Sequence, residues 1–193
     1  MAPLLEAAGF APEHVRSENR KLFVDTPDES TRLLFLRATD VPTYVEYGAA
    51  DMGFAGSDIL DEANRDLIEP LDLGLGQCRL VVACPKDAVS PSHTGCLRVA
   101  SKYPNLTRQH FRAEGTQIVL IKLYGAVELA AAVGLADRVV DLVSTGATLT
   151  ANGLVELETI ANVSTRVVVN RASLKTRHQE INTLIHRLRS ALS

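Results

Sequence analysis

Short apolar runs alternate with amphipathic segments along most of the chain. Runs rich in β-branched residues predict strands over residues 22–24, 33–37, 52–55, 79–83, 97–101, 118–123, 139–143 and 163–169. Apolar residues at helical spacing predict helices over residues 3–8, 41–47, 58–62, 106–114, 126–133 and 149–154. Such alternation is typical of an α/β fold with mostly parallel sheets that helices cover on both faces.

A loop-like segment divides this pattern in two. Residues 85–95, PKDAVSPSHTG, carry two prolines, two serines and a glycine between two predicted strands. We interpret the segment as a crossing between lobes, with a first lobe of residues 1–84 and about 156–193 and a second lobe of about 85–155. Two lobes joined in this way predict a cleft between them, where ligands of α/β proteins usually bind.

The last part of the sequence is a separate basic surface. Residues 166–193 hold six Lys or Arg residues and one acid, Glu180, although the whole chain has a net charge of −3. The apolar residues of this part recur at helical spacing and predict an amphipathic helix: Leu174, Ile181, Leu184, Ile185, Leu188 and Leu192. Such a helix either covers its own domain or offers its basic face to a partner.

Composition and charge argue against several classes of protein. A pI near 6.0, the lack of Trp and an aromatic content of only 5% do not fit a nucleic-acid-binding protein. No apolar run approaches the roughly 20 residues that span a bilayer, and the start, MAPLLEAAGFAPEH, lacks the regions of a signal peptide. The sequence therefore predicts a cytoplasmic protein that binds neither membrane nor nucleic acid.

Cysteines and histidines give no metal signature. Cys78, Cys84 and Cys96 are six and twelve residues apart, which fits no zinc motif and favours core thiols in a reducing compartment. No two histidines form a helical pair with a carboxylate base, as metalloprotease chemistry requires. We expect all of them to be structural or exposed: His14, His93, His110, His178 and His186.

The stretch RVVDLVSTGATLTAN, residues 138–152, is the most informative. A β-branched strand that includes Asp141 leads into a turn of small residues, Ser144, Thr145, Gly146, Ala147 and Thr148, and then into a helix. Small residues let several backbone N–H groups point at one spot, so the turn is a candidate phosphate cradle, with Thr hydroxyls as further donors. Asp141 is a candidate partner of ribose hydroxyls or Mg²⁺. The alternative is a plain strand-to-helix turn with Thr caps.

A second carboxylate, Glu128, follows another predicted strand at the start of a helix. An acid in the first turn of a helix usually only complements the helix dipole. If both strands end at one cleft, however, Glu128 and Asp141 are neighbouring acids beside a phosphate site. That arrangement suits a ribosyl diphosphate with its metal ion.

Six stretches in a fixed order cover nearly the whole chain. They are LRATDVPTYVEYGAADMGFAGSDIL (36–60), LGLGQCRLVVACP (73–85), LRVASKYPNLTRQHF (97–111), YGAVELAAAVGLADRVVDLV (124–143), DLVSTGATLTANGL (141–154) and VVVNRASLKTR (167–177). Together they resemble the ATP phosphoribosyltransferase family, the first enzyme of histidine biosynthesis. The fifth stretch resembles the loop that binds phosphoribosyl diphosphate in that family.

The resemblance implies a fold, a reaction and partners. The fold is two-lobed, like type II periplasmic binding proteins, with a cleft between the lobes. The reaction joins N1 of ATP to C1 of the ribose of phosphoribosyl diphosphate and expels diphosphate. The chain resembles the short form of the family, which works as a dimer of catalytic chains in a larger hetero-oligomer, with a regulatory subunit resembling histidyl-tRNA synthetase.

The resemblance also implies roles for individual residues. Residues 144–148 take the ribose 5-phosphate, and Asp141 and Glu128 take the ribose hydroxyls or Mg²⁺, the implied cofactor. Candidate residues for the diphosphate and for ATP are Arg98, Lys102, Arg37, Gly56, Ser57 and Asp58. Each basic residue has an alternative as solvated surface, and Asp58 has one as a helix cap.

Two other functions remain open from the residues alone. One is a two-lobed ligand-binding or sensor module without catalysis, which predicts no turnover. The other is a phosphoribosyltransferase with a different base as acceptor, which only the nucleotide pocket distinguishes from the reaction above.

Overall fold

The computed structural model describes residues 1–10, 22–26, 30–89 and 96–192. His14, His93 and the later part of the predicted crossing, residues 90–95, lie outside the described residues. Within the described ranges, no helix combines the length and the apolar character that a membrane crossing requires.

Helices and strands alternate along the chain, as the pattern predicted. The strands are β1 (Phe23–Asp25), β2 (Arg32–Leu34), β3 (Met52–Gly56), β4 (Ile68–Asp72), β5 (Cys78–Pro85), β6 (Leu97–Ser101), β7 (Ile118–Lys122), β8 (Arg138–Val143), β9 (Leu154–Val163) and β10 (Thr165–Val169). The helices are α1 (Ala2–Ala7), α2 (Val41–Glu46), α3 (Ser57–Ala63), α4 (Pro104–Ala113), α5 (Val127–Ala132), α6 (Ala147–Ala151), α7 (Arg171–Thr176) and α8 (His178–Ser190). The α/β prediction is confirmed.

The chain forms two compact units. The first unit contains Met1–Leu60, Asn64–Gly76 and Ser164–Ser193. Its main sheet has the order β3-β10-β4, with both pairings antiparallel, and β1 and β2 form a separate hairpin. Buried residues of β10 and α8 pack with α1 in its core, including Val167, Ile181 and Leu188. The C-terminal helix therefore covers its own unit with its apolar face.

The second unit contains Asp61–Ala63 and Gln77–Val163, and it holds a sheet of order β7-β6-β8-β5-β9. Strand β6 is parallel to β7 and β8, whereas β5 is antiparallel to β8 and β9. On one face Val140 packs with Phe111 of α4. On the other face Val139 packs with Val127 of α5 and Leu149 of α6. Alternate residues of β8 thus point to two separate cores.

The expectation of mostly parallel sheets is corrected. Among the pairings of the described residues, only β6 with β7 and β6 with β8 are parallel. Strand β5, through which the chain enters the second unit, runs against β6, β7 and β8, whereas β9 is antiparallel to β5 and so runs in the same direction as those three strands. In the main sheet of the first unit, β10 lies between β3 and β4, and both of them run in the direction opposite to β10. That sheet is therefore antiparallel throughout.

The boundaries between the units also differ from the expected ones. The chain leaves the first unit after Gly76 and returns at Ser164, not near residues 85 and 155. The reason is that β5 pairs with β9 along its whole length and with β8 over residues 79–83, and so belongs to the second unit. The apolar run 163–169 accordingly contains a boundary: Val163 ends β9 in one sheet and Thr165 starts β10 in another.

Two strands and one helix break were missed in the sequence. Strand β4 contains a proline, Pro70, and β9 carries two acids, Glu156 and Glu158, but both are edge strands, where prolines and charged residues are tolerated. The predicted C-terminal helix is two helices, α7 and α8, that meet at Arg177, which is the C-cap of the first and the N-cap of the second.

Candidate functional site

The carboxyl ends of three parallel strands meet at one edge of the second unit's sheet. The register pairs Ser101 of β6 with Val140 of β8 on one side and with Lys122 of β7 on the other. The residues that follow, Lys102 and Asp141, therefore lie next to each other at this edge. Ligands of α/β proteins bind at such edges. We call this edge the carboxyl edge and define it by Lys102, Glu128, Asp141 and residues 144–148.

Asp141 is the central acid of the carboxyl edge. Its side chain is half-buried on the face of α5 and α6, and its Oδ1 accepts a hydrogen bond of 2.8 Å from the N–H of Leu142. Burial raises the pKa of Asp141 above its ordinary value of 3.8. The N–H of Leu142 and the charge of Lys102 oppose this rise, whereas the charge of Glu128 adds to it. Asp141 thus interacts electrostatically with both predicted neighbours.

Lys102 is held at this edge by a buried serine. The Ser101 hydroxyl is fully buried, donates to the carbonyl of Val140 at 2.9 Å and accepts from the N–H of Tyr103 at 2.9 Å. These two bonds fix the chain as it leaves β6 and tie it to β8. The side chain of Lys102 is exposed, with its Nζ 5.9 Å from the centre of the Tyr103 ring, and no ion pair engages it within the described ranges.

Glu128 reaches Asp141 from the start of α5. The helix begins at Val127 after Ala126, whose φ of +48° and ψ of 45° lie in the left-handed region that residues with a Cβ rarely adopt. This turn directs the first turn of α5, with the half-buried Glu128, toward the end of β8. Strained non-glycine backbone is found preferentially at functional sites, which is consistent with a functional role for this turn.

The turn between β8 and α6 exposes backbone donors. Gly146 adopts φ +80°, a conformation that only glycine enters without strain. The Ala147 N–H donates to Thr145 Oγ1 at 3.4 Å, but no hydrogen bond within the described part of the chain uses the N–H of Thr145, Gly146 or Thr148. The Thr145 and Thr148 side chains are exposed. Free N–H groups beside two hydroxyls are what a phosphate group requires.

The carboxyl edge also fits the donor set of Mg²⁺. Mg²⁺ prefers oxygen ligands and is usually bound by one or two carboxylates together with the phosphates of a substrate. Asp141 and Glu128 supply two carboxylates whose charges interact. Burial is the largest cause of the raised pKa of Asp141, and the negative charge of Glu128 raises it further. A divalent cation placed between them relieves that repulsion.

Arg98 is not brought to the carboxyl edge. It lies near the amino end of β6, level with Asp137, which is roughly 13 Å along β8 from Asp141. Its guanidinium donates to Asp137 at 2.7 and 3.2 Å and to the carbonyl of Gly134 at 3.0 Å. The hydrogen bonds and charge of Asp137 raise the pKa of Arg98. Arg98 thus forms an ion pair at the opposite end of the strands.

The remaining predicted residues belong to the first unit. Gly56 is the N-cap of α3, and Ser57 and Asp58 are buried in its first turn, so Asp58 does not occupy the cap position. The Ser57 N–H donates to the carbonyl of Ser164 at 2.9 Å. Arg37 is exposed in the segment after β2. Their predicted contacts with ATP stay predictions.

One residue that shapes the carboxyl edge, Ser101, was not singled out in the sequence. Ser101 positions Lys102 through its two buried hydrogen bonds, but it was counted only as the last residue of a strand. The sequence did contain a signal for this role. Ser101 is a small hydroxyl residue between an apolar strand and Pro104, which starts a helix, and such residues often hydrogen-bond to nearby backbone groups.

Comparison with known proteins agrees with the sequence resemblance. A family profile described as ATP phosphoribosyltransferase matches residues 37–190. The ATP phosphoribosyltransferase of Citrifermentans bemidjiense is 52% identical over 188 residues, which are 96% of this chain and 89% of that protein. That of Pseudomonas fluorescens strain Pf0-1 is 50% identical over 191 residues, which are 98% of this chain and 90% of that protein.

Two solved structures resemble this fold. The ATP phosphoribosyl transferase (HisG:HisZ) complex from Thermotoga maritima gives a TM-score of 0.85 at 33% identity, covering 98% of this chain and 90% of that one. The periplasmic aliphatic sulphonate binding protein SsuA from Escherichia coli gives a TM-score of 0.55 at 17% identity, covering 82% of this chain and 60% of that one. The second likeness concerns the fold alone and supports the type II periplasmic-binding-protein-like prediction.

Proposed function

The chain belongs to the ATP phosphoribosyltransferase family, and from this premise we propose how its residues perform that family's reaction. The reaction is the first step of histidine biosynthesis: N1 of the ATP adenine bonds to C1 of the ribose, and the bond from C1 to diphosphate breaks. The observation that carries the assignment of residues is the carboxyl edge, where Asp141 interacts with both Glu128 and Lys102 beside an unsatisfied turn.

The turn at residues 144–148 binds the 5-phosphate of phosphoribosyl diphosphate. Its free N–H groups and the hydroxyls of Thr145 and Thr148 supply the donors. Asp141, which precedes the turn on the same strand, accepts hydrogen bonds from the ribose hydroxyls. The phosphate and the sugar are thereby held by one continuous segment of chain, which fixes the position of C1.

Lys102 and the two carboxylates act on the leaving diphosphate. Lys102 has no ion pair within the described ranges and lies beside Asp141, so its ammonium is available to a phosphate oxygen. Asp141 and Glu128 would hold Mg²⁺, which would neutralise charge on the diphosphate. Displacement at an anomeric carbon develops oxocarbenium-like charge, so the chain positions and stabilises the reactants and needs no covalent nucleophile.

The test is diphosphate release from ATP and phosphoribosyl diphosphate by Asp141→Asn and Thr148→Val. We expect Asp141→Asn to lower kcat by about 100-fold or more, because it removes a charged contact with the reacting ribose. We expect Thr148→Val to raise KM for phosphoribosyl diphosphate about tenfold, since one hydroxyl donor to the phosphate is lost.

The matched control for the hydroxyl is Thr116→Val. Thr116 is exposed in the turn between α4 and β7, at the opposite edge of the same sheet, so the same substitution there leaves KM unchanged. Unchanged kinetics in both Asp141→Asn and Thr148→Val, with the fold retained, would contradict the assigned site. Absence of turnover with ATP but activity with another purine base would contradict the acceptor.

A regulatory subunit that resembles histidyl-tRNA synthetase is the proposed partner, in a hetero-oligomer that contains a dimer of this chain. The relative from Thermotoga maritima was solved as a HisG:HisZ complex. Ion pairs within the first unit occupy Arg166, Arg171 and Arg177. Within residues 166–192, the basic side chains without such an ion pair are Lys175, Arg187 and Arg189.

Charge reversal tests this surface. Arg187→Glu with Arg189→Glu, on the outer side of α8, should abolish co-elution with the regulatory subunit in size-exclusion chromatography. Arg112→Glu, on the exposed side of α4 in the second unit, is the control and should leave co-elution intact. Co-elution of the α8 variant would return these residues to ordinary solvated surface.

We place the reaction in the cytoplasm. Cys84 and Cys96 are free thiols, as is usual for proteins of reducing compartments.

A further inference from the structure

A histidine and two glutamates converge on the second unit at a point that the proposed reaction does not use. His110 lies in the last turn of α4, Glu114 is the C-cap of the same helix, and Glu158 lies on the edge strand β9. The His110 Nε2 is 3.2 Å from Glu158 Oε1 and 3.6 Å from Glu114 Oε1. One ligand atom from each residue lies within 4.8 Å of the other two.

These three residues lie on the other side of the sheet from Asp141. Glu158 pairs in register with Val82, which belongs to the same core as Val140 and Phe111 of α4. Val81, the partner of Asp141, belongs to the core of the opposite face. The cluster is therefore separate from the carboxyl edge, and the sheet lies between them.

The polar atoms of the cluster lack other partners. The Nε2 atom of His110 is buried, and no hydrogen bond of suitable geometry engages it in the described part of the chain. Within the same ranges, neither Glu114 nor Glu158 forms an ion pair with Lys or Arg. Two carboxylates and one imidazole nitrogen thus face one another with no Lys or Arg paired to them.

We propose that His110, Glu114 and Glu158 bind a divalent transition metal ion, for which Zn²⁺ is the best match. Ligands about 2.0–2.2 Å from a tetrahedral Zn²⁺ are about 3.3 Å from each other. The two measured distances from Nε2, 3.2 and 3.6 Å, agree with that spacing. An imidazole nitrogen with two carboxylate oxygens suits Zn²⁺ better than Mg²⁺, which prefers oxygen ligands alone. Water completes the coordination.

The bound ion joins a helix to the far edge of the sheet. α4 connects β6 and β7, at one side of the sheet, whereas β9 is the edge strand at the other side. A ligand set drawn from both elements fixes the end of α4 across the sheet. Bound Zn²⁺ stabilises the folded unit by an amount that grows with the logarithm of the ratio of free Zn²⁺ to its Kd.

The test measures Zn²⁺ binding to the full-length, tag-free chain after removal of metal with EDTA. Equilibrium dialysis followed by metal analysis gives the stoichiometry and the Kd. Because the Cys96 thiol is exposed and thiolates are Zn²⁺ ligands, the measurement uses a Cys96→Ser background. Asp141→Asn in that background shows whether bound Zn²⁺ belongs to the carboxyl edge.

We expect one Zn²⁺ per chain, also in the Asp141→Asn chain. His110→Gln and Glu158→Gln should each weaken binding by about 100-fold or more, since each removes a ligand. His178→Gln, an exposed histidine of α8, and Glu156→Gln, an acid of β9 that pairs with Arg79, are matched controls and should bind as the parent does. Zn²⁺ should raise the melting temperature of the parent and of the controls only.

Three results would overturn the proposal. One is the absence of a bound ion in the parent. Another is retained binding in both ligand variants, whose folding circular dichroism checks. The third is a drop in the melting temperature of His110→Gln without any effect of Zn²⁺ on the parent, which would identify the cluster as an ion pair of a protonated histidine.

Discussion

The parallel strands of the second unit carry charged residues at both of their ends. The charges at the amino ends, which we call the amino edge, form an ion pair, whereas, in the part of the chain that the structure describes, the charges at the carboxyl edge do not. At the amino edge Arg98 and Asp137 neutralise each other, and the Asp137 carboxylate also accepts from the N–H of Arg98. At the carboxyl edge Lys102, Asp141 and Glu128 are near one another without forming an ion pair within the described ranges. The amino edge is internally complete, whereas the carboxyl edge keeps its charges available for a substrate.

The difference follows from the direction of the strands. Three parallel strands place their following segments at one edge, where the backbone N–H groups and the positive ends of helices also converge. Charged side chains at that edge therefore lie beside a helix start and a glycine turn, and all of these groups can bind the same ligand. Charges at the other edge meet only the preceding loops, and pairing with each other is their most favourable arrangement.

The largest expected difference between the edges is in turnover. Lys102→Met should lower kcat/KM for phosphoribosyl diphosphate by about 100-fold, because it removes the positive charge that we propose binds the diphosphate. Arg98→Met, the same change of charge and nearly of shape at the other edge, should leave kcat/KM unchanged. Steady-state diphosphate release measures both.

Equal losses in the two variants would contradict the division between the edges. They would also restore Arg98 to the nucleotide site in which the sequence placed it. Circular dichroism of both variants separates a loss of activity from a loss of fold.

A second difference between the edges is whether removal of a carboxylate charge raises or lowers the stability of the fold. The raised pKa of Asp141 means that the folded chain favours its protonated form, so Asp141 contributes most stability below its ordinary pKa of 3.8 and loses that contribution as pH rises. Asp141→Asn should therefore raise the melting temperature by a few degrees at neutral pH, and the gain should vanish in acid.

Asp137→Asn is the matched control for that experiment. It breaks the ion pair with Arg98 and should lower the melting temperature at neutral pH. Thermal melts of both variants across a pH series check the pair of signs. A lower melting temperature for Asp141→Asn at neutral pH would show that the Asp141 carboxylate stabilises the fold, contrary to the burial argument.

The residues proposed for the carboxyl edge were chosen from local signals in the sequence. Asp141, the turn at 144–148 and Glu128 each stand at the junction of an apolar strand and a helix start, and such junctions depend on residues close in sequence. Lys102 and Arg98 were treated alike, although one follows the strand and the other lies inside it. The direction of a parallel strand already favours the residue that follows it.

The features that the sequence did not predict depend on contacts between residues far apart in the chain. The place where the chain crosses between units depends on β5 pairing with β9, two segments about seventy residues apart. The split of the run 163–169 at Ser164 depends on two different sheets. The cluster of His110 with Glu158 likewise joins a helix to a distant edge strand, and no spacing in the sequence indicates it.

The smallest expected difference concerns backbone strain. Ala126 is left-handed at the carboxyl edge, whereas Ala113 ends α4 with helical backbone at the other edge. Ala126→Gly should raise the free energy of unfolding by up to about 1 kcal/mol, because glycine adopts this conformation without a Cβ clash. Ala113→Gly should lower it by a similar amount, because glycine disfavours a helix. Urea unfolding measures both, and a loss in both variants would show that Ala126 is unstrained.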